Sequence, residues 1–142
     1  MLGVATDSES LQRSPAGSIS GRIWLASESL SFPEEGWSDL PVILLSAWLE
    51  GLREVSARRE SSTRLLFMDG PFEAILSSES LTVTRVSFLR REQRFMSDLK
   101  VDPDYLLQSA RQAAGDVVEV CIKREWLNED LRKLRRVMKS GC

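Results

Sequence analysis

The run Leu40–Val55 constrains this chain more than any other segment. Leu44, Trp48, Leu52 and Val55 recur at helical spacing, and Val42, Ile43, Leu45 and Leu49 widen their stripe until the helix is apolar most of the way round. Such a helix is stable only when other elements bury it on several sides. Ser38 and Asp39 can cap its start, and Pro41 suits its first turn.

The segments around it read as strands and turns. Arg22–Ser27 is expected to be a strand, with Trp24 on one side and Ile23 and Leu25 on the other. Phe32-Pro33-Glu34-Glu35-Gly36-Trp37 reads as a loop pinned by its aromatics. Thr63–Met68 and Phe72–Ser77 make a hairpin through Asp69-Gly70, because glycine takes positive φ at little cost. Leu81–Phe88 alternates, but its apolar side switches midway, which predicts a bulge or a change of register. Gln93–Leu99 is a candidate fifth strand. Asp102-Pro103-Asp104 starts a second helix and Asn128-Glu129-Asp130 a third.

This order, β-α-β-β-β(-β)-α-α, predicts an α+β fold: a mostly antiparallel sheet of four to five strands with three helices packed on it. Residues 1–20 are rich in Ser and small residues and lack apolar periodicity. They read as a disordered tail before a single α+β domain over residues 21–142.

Histidine is absent from the 142 residues. That excludes a Ser-His-Asp centre, a His-ligated metal and a histidine pH switch. Cys121 lies in an apolar helical run and Cys142 is the last residue, so no disulfide framework is expected. No phosphate-binding glycine loop or dinucleotide fingerprint occurs, and neither a metal nor a cofactor is expected. There is no signal peptide and no apolar stretch long enough for a bilayer, so the expected location is cytoplasmic, with no membrane partner.

The net charge of -2 is not the footprint of a bulk nucleic-acid binder. It is unevenly spread: residues 21–60 hold four arginines against seven acids. Glu34, Glu35 and Asp39 cluster beside Trp37, and Glu50 and Glu54 follow on the first helix. Aromatics ringed by acids suit a basic protein partner. The same carboxylates could act as a general acid and base if they were buried and held apart. Arg85, Arg90, Arg91 and Arg94 interleave with Phe88 and Phe95, a pattern that a nucleic-acid surface or an exposed sheet edge would share. The sheet-edge reading is preferred, and no nucleic acid is expected.

Phe32-Pro33…Trp37-x-Asp39…Trp48, followed about 20 residues on by Phe67-Met68-Asp69-Gly70-Pro71, resembles a group of small uncharacterised bacterial proteins. The likeness spans roughly residues 22–125 and brings no catalytic residue to carry over. Proteins of this type look similar in build to immunity proteins of contact-dependent or polymorphic toxin systems. That resemblance implies a soluble, acidic protein that binds one cognate toxin domain and occludes its basic surface.

Together these readings lead to a non-enzymatic protein-binding module with Glu34, Glu35, Trp37, Asp39, Glu50 and Glu54 as its acidic face. An accessory or structural protein acting as a homo-oligomer and a carboxylate-dependent enzyme are the alternatives.

Overall fold

The computed structural model describes residues 1–140, and for residues 95–98 the backbone alone. The expectation for Cys142 and the side chain of Phe95 lie outside the described residues. The chain runs β1 (Gly3–Arg13), β2 (Ile19–Ala26), β3 (Ser31–Phe32), β4 (Ser38–Asp39), α1 (Pro41–Ser56), β5 (Ser62–Leu66), β6 (Phe72–Ser78), β7 (Thr84–Arg90), β8 (Gln93–Val101), α2 (Pro103–Lys123) and α3 (Glu129–Lys139). All strand pairing is antiparallel. The fold is α+β, as the order of elements predicts, but the strands divide between two sheets rather than gathering in one. β1, β2 and β3 pair in that order, with β4 also on β2, and β5 to β8 form a four-stranded meander.

Residues 1–20 are not a disordered tail. They form β1 and the start of β2, and the expected boundary at residue 20 falls inside β2. Leu2 and Leu11 are buried, so this stretch supplies core residues despite its low apolar content. Distant residues tie down its backbone. Ser109 Oγ accepts from Val4 N at 2.7 Å and donates to Val4 O. Arg124 Nη1 donates to Leu11 O at 2.8 Å, and Asn128 Nδ2 donates to Gly17 O at 2.9 Å. Local periodicity carries no trace of such contacts.

α1 is the hub. It touches α2, α3, β2 and β5, which is what its all-round apolarity requires. Trp48, Leu49 and Leu52 are fully buried. Asp102 caps α2 by accepting from Asp104 N at 2.9 Å, and Asn128 caps α3 by accepting from Leu131 N at 2.8 Å. α1 starts differently: its cap position is Leu40, with no side-chain cap bond, and Asp39 is used elsewhere.

Phe32 joins the two sheets. From β3 of the first sheet its ring meets Phe67, just beyond β5, and Phe72 edge-on at centroid distances of 5.7 and 5.8 Å, and Phe88 in a tilted contact at 4.8 Å. Aromatic pairs of this kind add about 0.5–1.5 kcal/mol each beyond simple burial. The apolar switch within Leu81–Phe88 has a plain cause: residues 79–83 are a turn, with Glu79 N donating to Val83 O, and β7 begins at Thr84. Within β7, Thr84, Val86 and Phe88 all face the core. The irregular register lies in the β7–β8 pairing around Phe88.

Two helix glycines should respond oppositely to the same change. A Cβ at Gly51 of α1 would collide with Thr63 Oγ1 on β5, whereas one at Gly115 of α2 meets nothing within 4 Å. Gly115→Ala is expected to stabilise the fold by about 0.5–1 kcal/mol, as alanine does in an open helix. Gly51→Ala is expected to destabilise it by about 1–3 kcal/mol through overpacking. Urea melts of both variants check the pair.

Candidate functional site

Trp37, Asp39 and Trp48 converge on one hairpin. β5 and β6 join through the turn at Asp69-Gly70, with Gly70 at φ +107° and Phe67 N donating to Phe72 O at 3.2 Å. Trp37 packs edge-on against Phe72 at 5.2 Å, and Trp48 packs likewise against Phe67 at 5.1 Å. Trp48 Nε1 also donates to Leu66 O at 3.0 Å.

Asp39 is at the centre and is only 4% exposed. Its Oδ2 accepts from Trp37 Nε1 at 3.0 Å and from Asp69 N at 3.1 Å. Its Oδ1 accepts from Leu40 N at 2.8 Å, and Met68 N lies 3.2 Å from both oxygens. Four N–H groups from three parts of the chain therefore share one buried carboxylate. Hydrogen bonds to charged groups contribute about 1.5–3 kcal/mol each, and a buried donor left without its acceptor costs a similar amount. The sequence reading assigned Asp39 to an exposed acidic face. The structure corrects this: Asp39 is a buried internal anchor whose carboxylate is taken up by N–H donors of the chain itself.

A cleft of about 330 Å³ opens beside this anchor, lined by Ser20, Ser38, Asp39, Leu40, Met68 and Asp69. Two carboxylates line it, but both oxygens of Asp39 are already occupied by N–H donors. Its placement suits holding the turn more than moving a proton.

The remaining acidic candidates fall into two groups. Glu34 and Glu35 are exposed in the turn between β3 and β4, next to half-buried Trp37. Asp69 and Met68 are exposed on the hairpin turn, and Trp37 reaches that turn too, near Gly70. Glu50 and Glu54 lie on α1, nine and thirteen residues beyond Pro41, which places them about 14 and 20 Å along the helix. There they share a hollow with Arg53, Arg136, Val137 and Ser140. Glu54 is paired with Arg59 at 2.9 Å, and that hydrogen bond holds its carboxyl below the usual range. The expected six-residue face thus divides: Glu34, Glu35 and Trp37 stand together, while Glu50 and Glu54 lie among cations elsewhere.

Phe88 is fully buried and cannot stack a base, and Arg85 is paired with Glu79 at 3.1 Å. Burial pushes the Cys121 thiol up, in keeping with a core residue. Among the described residues no group of acids and cysteines is arranged to hold a metal ion, and no helix is long and apolar enough to cross a membrane. Asp69 and Met68 were legible only as turn residues, because the bonds that bring their turn to Asp39 and Trp37 join residues about thirty apart.

Set against protein-family models, curated proteins and solved structures, the chain matches none of them.

Asp39→Ala would leave the Trp37 indole and the amides of Met68 and Asp69 without their acceptor. It is expected to cost about 3–5 kcal/mol, a loss typical of breaking a buried charged network. Thermal melting measures the cost. A loss below about 1 kcal/mol would show that the anchor is dispensable.

Proposed function

We propose that this protein is a non-enzymatic binding module that engages a basic protein surface through the Pro33–Ser38 loop and the adjoining Asp69 turn. The supporting observation is the clamping of Trp37. Its indole N–H is held by buried Asp39 and its ring by Phe72, so the loop that displays Glu34 and Glu35 is rigid before any partner arrives. A pre-ordered loop avoids much of the entropy cost of binding. Exposed carboxylates at Glu34, Glu35 and Asp69 around a half-buried aromatic supply both steering charge and an anchor.

The narrower reading is an immunity protein that covers the basic substrate-binding surface of a cognate bacterial toxin. It rests on the resemblance in build and on this acidic loop. Neutralisation would proceed by occlusion, with long-range attraction speeding association.

The test is affinity capture from native-host lysate with the tagged chain, read by mass spectrometry, followed by binding measurements on the partner found. A stoichiometric partner with a basic domain is expected. Glu34→Lys/Glu35→Lys should weaken its binding about tenfold or more, most at low salt, with an unchanged melting temperature. Glu50→Lys/Glu54→Lys should leave the affinity within about twofold. Equal affinity for the wild type and the loop double variant would remove this assignment.

A further inference from the structure

Among the described residues, no helix or strand covers one face of the second sheet. Leu65, Ala74, Leu76, Val86 and Phe88 point inward and are fully buried. Cross-strand pairing sets the opposite face in rows. One row is Leu66, Glu73, Leu89 and Arg94; the next is Arg64, Ile75 and Ser87; the third is Ser62, Ser77, Arg85 and Lys100. An antiparallel sheet with one solvated face normally alternates apolar inward and polar outward. This one breaks the rule at three positions. Leu66 is 45% exposed, and Ile75 and Leu89 are half-buried, with Glu73 between Leu66 and Leu89 in their row.

Charge on this face is opposite in sign to the chain as a whole. Arg64, Arg85, Arg94 and Lys100 surround the apolar centre, against a net charge of -2 for the molecule. Among the described residues Glu73 is the one carboxylate in the rows, and it lies buried under Arg64 with a contact of 2.7 Å. Glu79, in the turn before β7, pairs with Arg85 at 3.1 Å, and Glu92 lies in the turn after it, where its charge acts on Arg64. An apolar centre with a cationic rim has the anatomy of a protein-binding surface.

We propose that this face docks an acidic amphipathic helix from a partner protein. Leu66 and Leu89 are two strands apart, about 10 Å, with Ile75 on the strand between. Helix positions i and i+7 are about 10.5 Å apart, with i+3 or i+4 between them. One helical stripe therefore meets all three side chains. Carboxylates flanking that stripe meet Lys100 in the third row and share Arg64 and Arg85 with Glu73 and Glu79. A nucleic acid fits less well: the aromatic side chains of β6 and β7, Phe72 and Phe88, belong to the core-facing side, so neither offers a base a stacking platform. This surface is separate from the acidic loop and does not depend on what that loop binds.

A phage-displayed library of helical peptides, panned on the full chain, tests the proposal. Enriched peptides are expected to carry Leu, Ile or Met at i, i+3 or i+4, and i+7, with Asp and Glu on the flanks. Their affinity should fall about tenfold or more on Leu66→Ser/Leu89→Glu and on Arg85→Glu/Lys100→Glu. Circular dichroism should show both variants folded, and if the leucine variant unfolds, the charge-reversal variant carries the test. Basic flanks, undiminished binding to the variants, or no enrichment would overturn the proposal. So would a single-stranded uridine oligomer that binds more tightly than the best peptide and is lost in Arg85→Glu/Lys100→Glu. A dimer in sedimentation velocity that Leu89→Glu dissociates would instead assign the face to a second copy of the chain.

Discussion

One buried carboxylate holds three separate parts of this molecule in register. Asp39 lies at the end of a two-residue strand, yet it accepts from the Trp37 indole, from the first amide leading into α1, and from two amides of the β5–β6 turn. A single acceptor thereby sets where the loop, the central helix and the second sheet meet. The aromatic contacts depend on that placement. Trp37 reaches Phe72, and Trp48 reaches Phe67, only if the hairpin stands where Asp39 holds it. Trp48 adds a guard on the same strand by bonding the Leu66 carbonyl, which points away from β6. Edge strands with open backbone groups invite other strands, and filling such groups internally lowers that hazard.

The modest net charge conceals a separation of charge. Glu34, Glu35 and Asp69 lie exposed around Trp37, whereas Arg64, Arg85, Arg94 and Lys100 share one sheet face. Opposite fields on different surfaces can select partners of opposite charge without competing for the same site. At Glu50 and Glu54 the local cations cancel the field, which is why proximity in sequence was a poor guide to a shared acidic face.

Much of the local structure was legible from residues alone. Asp102-Pro103-Asp104 and Asn128-Glu129-Asp130 mark helix starts because capping is an interaction over three or four residues. Asp69-Gly70 marks a hairpin because the turn needs positive φ. Asp39 shows the limit of such reasoning. Beside Pro41 it looks like a helix cap, and only the hairpin folding back from thirty residues away gives its carboxylate a different set of donors. The apolar switch within Leu81–Phe88 predicts a bulge or a change of register; its first half is a turn, and the register shifts further on, in the β7–β8 pairing around Phe88.

The sequence by itself determined the α+β class, the three helices and the need to bury α1 on several sides, since each follows from periodicity and short-range hydrogen bonding. The tertiary structure decided that the strands form two sheets and that the first twenty residues are ordered. It also decided which acids stand together. The bonds that order β1 and the following turn join residues 105 to 113 positions apart. Contacts at that separation exist only once the chain has closed on itself, and no window of neighbouring residues encodes them.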